Sequence, residues 1–229
     1  MTLQLVIGNK NYSSWSMRPW VLMTQLGIAF DEVKLRLDFA ENSAFRQAVA
    51  GYSPARTVPV LVSDGFAVWD TLAIVEFLHE EFPDHGVWPT AARHRARARS
   101  LCAEMHAGFG DLRQHCPMNI EAALPDIGRT VWAGQEGVRR DLARIEQMWT
   151  DALQTSGGPM LFGRFSAADA YFAPVCMRLR CYALPISAPV RAYVERVTAL
   201  PGVARWIADA MAEADFLDFE EPYRSARSP

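Results

Sequence analysis

The strongest constraint on the fold is a change of pattern along the chain. In residues 1–82, short apolar or alternating segments typical of strands alternate with segments of helical periodicity, and beyond them only helical patterns remain. The strand candidates are residues 3–8, 30–37, 58–62 and 66–69, and the helix candidates are residues 16–26, 42–50 and 70–81. The order β-α-β-α-β-β-α predicts an α/β domain of the thioredoxin-like type, in which a βαβ half precedes a ββα half.

A segment rich in proline and glycine separates the two parts of the chain. It contains Pro83, Gly86 and Pro89, and we predict that residues 83–91 link a domain at residues 1–82 to a domain at residues 92–229. Helical patterns in the second part cover residues 92–115, 128–155, 166–183, 189–199 and 202–214. We therefore predict that an all-helical bundle follows the thioredoxin-like domain.

Charge and composition exclude several classes of function. The net charge is −3, and the basic residues form no block interleaved with aromatic side chains, so no nucleic-acid partner is expected. The apolar run at residues 3–7 is too short for a signal peptide, and no stretch reaches the roughly 18 apolar residues of a membrane span. We expect a cytoplasmic protein with no membrane partner. The 4 cysteines form no Cys-x-x-Cys pair, so we expect buried, reduced thiols and no metal site.

Hydroxyl groups occupy the junction between the first predicted strand and the first predicted helix. Residues 12–16 read Tyr-Ser-Ser-Trp-Ser, at the place where thioredoxin-like folds carry a redox Cys-x-x-Cys pair on a helix N-terminus that favours a thiolate. A serine cannot exchange disulfides, but its hydroxyl can donate a hydrogen bond to a thiolate that a substrate supplies. On the local sequence, a helix-capping role for Ser13, Ser14 or Ser16 is the alternative.

Two further motifs are suited to holding a peptide. Val58-Pro59 opens the third predicted strand, where a cis X-Pro bond would turn the Val58 backbone toward an extended ligand. Asp70-Thr71 opens the third predicted helix, where Asp70 can pair with an ammonium while Thr71 and the helix amides receive a carboxylate. The alternatives are an edge-strand proline and a helix cap.

The order and spacing of these three motifs resemble the glutathione transferase superfamily. The likeness continues in residues 163–170, which look like the capping box and buried aspartate of that family's helical domain, with Ser166 and Asp169 as the pair. The resemblance is to serine-type members of the tau- and zeta-like kind, and it implies that Ser13 activates the thiol of glutathione as co-substrate. It implies that glutathione is bound by Ser14, Arg56, Thr57, Val58, Pro59, Asp70 and Thr71.

The resemblance also implies a homodimer and an acceptor-substrate pocket between the domains. The residues expected in that pocket are Trp15, Met105, Phe109 and Arg113. We expect a detoxifying glutathione transferase whose thiolate attacks a small, largely hydrophobic electrophile. The alternatives are a glutathione-dependent isomerase of the maleylacetoacetate type and a noncatalytic binding module. Trp15 stands where zeta-like members carry a cysteine, which counts against a close copy of that isomerase. We expect residues 215–221 to form a solvated acidic tail.

Overall fold

The computed structural model describes residues 2–226 and begins with one four-stranded sheet. Its strands are β1 (Leu3–Ile7), β2 (Asp31–Lys34), β3 (Val60–Ser63) and β4 (Phe66–Trp69). They lie in the order β2-β1-β3-β4, with β1 parallel to β2 and antiparallel to β3, and β3 antiparallel to β4. This mixed sheet, with the helices that follow its strands, confirms the predicted α/β domain.

Three helices complete this domain: α1 (Ser14–Leu26), α2 (Ala44–Ala50) and α3 (Thr71–Glu81). α1 ends at Gly27, whose φ of 70° lies in the left-handed region that a glycine adopts without a Cβ clash. Met17, Trp20 and Val21 of α1 belong to the buried cluster that also contains Leu5 of β1. The alternation of apolar positions therefore places one face of the sheet and one face of α1 in a common core.

The rest of the chain is helical, which confirms the predicted bundle. A short 3-10 turn at Pro83–His85 precedes the bundle helices. They are α4 (Ala92–Ala107), α5 (Gly110–His115), α6 (Pro125–Gly134), α7 (Glu136–Ser156), α8 (Ala167–Cys181), α9 (Ala188–Ala199) and α10 (Pro201–Glu213).

Two of the predicted helices are each divided in two. The segment predicted at residues 92–115 breaks at Gly108 and Phe109, where Phe109 adopts a left-handed φ of 56°. A Cβ on Gly108 would lie 2.8 Å from the carbonyl oxygen of Glu104, so a larger residue would not fit this turn. The segment predicted at residues 128–155 is interrupted at Gln135, which is extended. Apolar periodicity continues across both breaks, so the pattern alone does not reveal them.

Helix α8 joins the two parts of the chain. It packs against α1 on one side and α4 on another, and nearly all of its side chains are buried. Residues of the sheet, α1 and the bundle therefore share one hydrophobic cluster. This shared core fixes the loop before α1 relative to the bundle helices.

The cysteines match the expectation of buried, reduced thiols. Cys102, Cys116, Cys176 and Cys181 are all free and buried. Burial raises the pKa of the Cys116 and Cys181 thiols to about 12, which disfavours reactive thiolates. Over residues 2–226, no helix has both the length and the apolarity needed to cross a bilayer.

The predicted capping box begins α8. The Ser166 N–H donates to Asp169 Oδ2 at 2.9 Å, and the reciprocal bond from the Asp169 backbone to the Ser166 side chain is also present. The other carboxylate oxygen accepts from the Leu161 N–H at 3.1 Å and from the Tyr193 hydroxyl at 2.9 Å. Burial raises the pKa of Asp169 to about 6, while these donors act in the opposite direction. The carboxylate thus ties the start of α8 to α9 and to the preceding loop.

We expect Asp169→Ala to lower the free energy of unfolding by about 3 kcal/mol, because it leaves several buried donors without an acceptor. Asp151→Ala, at an exposed position of α7, is the matched control and should change it by less than about 0.5 kcal/mol. Urea unfolding followed by circular dichroism measures both. Equal effects of the two substitutions would contradict a structural role for Asp169.

Candidate active site

A cleft of about 370 Å³ opens where the loop before α1 faces the bundle. Its lining comes from both parts of the chain and consists of Tyr12, Ser13, Ser14, Trp15, Leu37, Phe39, Phe45, Arg46, Arg56, Thr57, Val58, Arg113, Pro117, Met118, Arg178 and Glu220. Larger grooves of about 440 and 650 Å³ lie on the helical domain, and none of the predicted site residues lines them. Of these three cavities, the cleft at the start of α1 is therefore the one that predicted site residues line.

Ser13 occupies the N-cap position of α1 without capping the helix. Within the described residues its side chain makes no capping hydrogen bond. Instead, its hydroxyl donates to Ser16 Oγ at 2.7 Å, and Ser16 Oγ also accepts from the Gly8 N–H at 3.1 Å. The capping alternative is thus not realised for Ser13, which lines the cleft.

Ser14 connects the start of α1 to the helical domain. Its Oγ accepts a hydrogen bond from Arg178 Nη2 at 3.3 Å, and its carbonyl oxygen accepts from Arg18 Nη1 at 3.2 Å. Because the Ser14 oxygen accepts from a guanidinium, its own proton remains available for another acceptor. Ser13 and Ser14 both line the cleft, and their hydroxyls have different hydrogen-bond partners.

The Val-Pro motif lies beside the serines. The Val58-Pro59 peptide bond is cis, as expected from its position before β3. Val58 lines the cleft, whereas Pro59 is buried and does not line it. Arg56 and Thr57 are exposed lining residues. Four of the predicted glutathione-binding residues, counting Ser14, are therefore brought together in this cleft.

Asp70 and Thr71 lie at the start of α3, outside the cleft lining. Asp70 Oδ1 accepts from the Leu72 N–H at 2.8 Å, so Asp70 does cap the helix. Its other oxygen lies 3.3 Å from His106 Nε2, and His106 Nδ1 lies 3.3 Å from the Tyr171 hydroxyl. Nearly half of the Asp70 side chain is exposed, so a ligand can reach it, while Thr71 is buried.

Only part of the predicted acceptor pocket lines the cleft. Trp15 and Arg113 are lining residues, but Met105 and Phe109 are buried in the core at 1% and 7% exposure. Met105 faces inward on α4, and Phe109 lies at the break where α4 ends. Pro117, Met118 and Arg178 border this side instead. The helical stripe that contains Met105 and Phe109 is therefore core.

Sequence reasoning missed Arg178, which lies in α8 and is 5% exposed. The available signal was an arginine in a helix that is otherwise largely apolar, since a buried charge requires partners. The same signal applies less clearly to Arg18. Burial lowers the pKa of Arg18 to about 9, and its guanidinium lies 4.1 Å from the Trp15 ring centroid.

The chain after α10 is not the solvated tail that its acidic composition suggested. Leu217 and Glu221 are buried. The Tyr12 hydroxyl donates to Glu221 Oε1 at 2.7 Å, and Asn119 Nδ2 lies 2.8 Å from each Glu221 oxygen. Arg224 forms a salt bridge to the same carboxylate. These buried partners hold residues 215–224 against the cleft, so the prediction of a solvated tail at residues 215–221 is wrong.

The fold and the cleft define a thioredoxin-like domain joined to a helical domain, with serine hydroxyls at the junction. Family models for the glutathione S-transferase N-terminal and C-terminal domains match residues 12–81 and 91–209. The chain belongs to the glutathione S-transferase family.

Individual relatives resemble the chain at lower identity. Rat (Rattus norvegicus) maleylacetoacetate isomerase is 25% identical over 163 residues, covering 71% of this chain and 72% of the relative. Dichloromethane dehalogenase of Methylorubrum extorquens is 34% identical over 68 residues, covering 29% of this chain and 23% of the relative. A glutathione transferase homologue from Burkholderia gl BGR1, solved with bound glutathione, shares the fold with a TM-score of 0.69 and 24% identity, covering 93% of this chain and 100% of that one.

We expect Glu221→Ala to release the segment at residues 215–224, because Tyr12, Asn119 and Arg224 lose their common acceptor. The free energy of unfolding should fall by about 2–4 kcal/mol, and the Leu217 amide should exchange faster with deuterium. Asp218→Ala, at an exposed position of the same segment, is the control. Unchanged exchange at Leu217 in Glu221→Ala would show that the segment is held by other contacts.

Proposed function

We propose that the protein is a glutathione transferase in which the Ser13 hydroxyl stabilises the thiolate of bound glutathione. The observation that carries this proposal is the place of Ser13, which lines the cleft at the N-terminus of α1 and makes no capping bond. To bind the thiolate, its hydroxyl would turn the proton that it donates to Ser16 Oγ toward the sulfur. Membership of the glutathione S-transferase family and the glutathione bound to the Burkholderia homologue support it.

In the proposed reaction the thiol proton leaves to solvent, and the resulting sulfur anion forms a bond to an electrophilic carbon. The leaving group departs from that carbon with the electron pair of the broken bond. Lowering a thiol pKa from ~8.5 to ~6.5 requires about 2.7 kcal/mol of preferential thiolate stabilisation. One charge-assisted hydrogen bond and the positive end of a helix dipole together supply stabilisation of about this size. No metal takes part in this scheme.

The remaining motifs would hold the tripeptide. Val58 offers its backbone N–H and carbonyl to the cysteinyl part, and Asp70 with Thr71 receives the γ-glutamyl ammonium and carboxylate. Arg56 and Thr57, at the exposed edge of the cleft, would contact the glycyl carboxylate. Ser14 and Pro59 support this arrangement from the start of α1 and from the turn into β3. We further propose that the protein acts in the cytoplasm.

A glutathione-dependent isomerase is a second candidate, since rat maleylacetoacetate isomerase is 25% identical to the chain over 163 residues. An isomerase would use the same thiolate and differ in the acceptor. Trp15 in place of the zeta-like cysteine counts against a close copy of that enzyme. Product analysis with an unsaturated acid separates the two, because an isomerase returns glutathione unchanged and a transferase consumes it.

Titration of glutathione, followed by thiolate absorbance, tests the role of Ser13. In Ser13→Ala the pKa of the bound thiol should rise by about 1–2, which corresponds to one lost charge-assisted hydrogen bond. Ser100→Ala, at an exposed position on α4, should leave it unchanged.

A rise in Ser14→Ala alone would move the activating role to Ser14. Failure of the wild-type protein to bind glutathione would overturn the proposed function.

We also propose that the protein acts as a homodimer. β4 is one of the two edge strands of the sheet and carries two exposed large apolar residues, Phe66 at 66% and Trp69 at 42% exposure. Such a patch on an unpaired edge favours association.

We expect the wild type to sediment as a dimer, and Phe66→Glu to sediment as a monomer because it places charge in the contact. Met211→Glu, which changes another exposed large apolar residue on α10, is the control and should remain dimeric. A wild-type protein that sediments as a monomer at micromolar concentration would contradict the proposal.

A further inference from the structure

The charged residues of the cleft are strongly biased toward arginine. Among residues 2–226, four arginines line it, Arg46, Arg56, Arg113 and Arg178, against the single carboxylate of Glu220. Arg56 is exposed and precedes β3, whereas Arg113 and Arg178 belong to α5 and α8 of the helical domain. We propose that Arg113 and Arg178, beside Trp15, bind a carboxylate of the second substrate, so that the acceptor is an acidic electrophile. This inference rests on the proposed function and names the class of its acceptor.

Arg178 is a buried cation whose hydrogen-bond partners are neutral. Its Nη1 donates to the Cys116 carbonyl at 2.9 Å and its Nη2 to Ser14 Oγ at 3.3 Å. Burial lowers the pKa of Arg178 to about 10, so it remains charged at neutral pH. A buried charge that no carboxylate pairs at salt-bridge distance is unfavourable, and a bound anion would offset that unfavourable free energy.

Arg113 is partly exposed and brings a second guanidinium to the cleft lining. Its Nε is buried, and in the described part of the chain it has no hydrogen-bond partner. Its guanidinium carbon lies 5.7 Å from the Trp15 ring centroid. Guanidinium groups bind carboxylates through paired N–H donors, so Arg113 and Arg178 provide the donor type that a carboxylate needs.

Arg18 adds positive charge behind these two residues. It is fully buried, and its Nε donates to the Tyr171 carbonyl at 3.0 Å. Burial lowers the pKa of Arg18, and Tyr171 acts in the opposite direction. The positive charges of Arg178 and Arg113 lower this pKa further, so the three guanidinium groups lie within electrostatic reach of one another. Over residues 2–226, no carboxylate forms a salt bridge with any of the three.

Glu220 is the one acidic lining residue in the described part of the chain and would oppose an incoming anion. Burial raises the pKa of Glu220, which favours its neutral form, although the charge of Arg178 acts in the opposite direction. In the proposed function, glutathione itself places its glycyl carboxylate at Arg56 and its γ-glutamyl end at Asp70 and Thr71, all on the thioredoxin-like side. The positive charge on the helical side is therefore left for the acceptor.

Two glutathione derivatives of almost equal shape test the inference by calorimetry. S-(carboxymethyl)glutathione carries a carboxylate next to the sulfur, and S-(carbamoylmethyl)glutathione carries a neutral amide in its place. S-methylglutathione reports binding of the tripeptide alone. We expect the wild type to bind the carboxylate derivative at least about tenfold more tightly than the amide derivative, because only the carboxylate accepts charge-assisted hydrogen bonds between two ionised groups from Arg113 and Arg178.

Arg113→Gln should bring this ratio close to one, and Arg113→Lys should retain part of it because it keeps the charge. Arg178→Lys should reduce the ratio as well, since lysine cannot reproduce the planar fork. The matched control is Arg180→Gln, which removes the same charge from an exposed position of α8 and should leave the ratio unchanged. S-methylglutathione affinity checks that each variant retains a folded tripeptide site.

The two proposals fail in different ways. If the wild type does not bind S-methylglutathione, the proposed function is overturned. If it binds S-methylglutathione but binds the carboxylate and amide derivatives equally, the proposed function stands and the acidic acceptor is overturned. An unchanged preference in a folded Arg113→Gln variant would also overturn the role assigned to Arg113.

Discussion

The burial of α8 against α1 and α4 is the constraint on which the rest of the structure depends. The helix is enclosed along nearly its whole length, so its packing joins the sheet domain and the bundle into one core. Its first turn is held by the Asp169 carboxylate, and near its end Arg178 reaches Ser14 at the start of α1. The same helix therefore fixes the fold and supplies a cation to the cleft.

Beside the serines, the buried arginines and the buried Glu221 differ in their hydrogen-bond partners. Arg18 and Arg178 are buried in the low-dielectric interior, where a hydrogen bond or an ion pair is stronger than in water. Glu221 is buried at the other side of the cleft but is surrounded by donors, including Tyr12, Asn119 and Arg224. The acidic group is thus satisfied internally, while two arginines have mainly neutral partners. This imbalance gives the cleft its positive character.

Local sequence predicted the elements whose signals lie within a few residues. Strand alternation, the Val58-Pro59 bond and the capping box at Ser166 all depend on short-range geometry. The breaks at Phe109 and Gln135 escaped prediction because apolar spacing continues on both sides of them. Met105 was wrongly predicted to line the acceptor pocket for a related reason, since an apolar helix residue can face either a core or a cleft.

The sequence by itself determined the class of fold, the order of its elements and the place of the hydroxyl groups at the start of α1. Those features follow from hydrogen-bonding and packing preferences that neighbouring residues express together. Only the tertiary structure decided that Arg178 reaches Ser14, that Glu221 closes over Tyr12, and that Met105 and Phe109 belong to the core. Each of these contacts joins residues far apart in the chain or depends on which helix face is covered, and such pairing arises only when the helices pack.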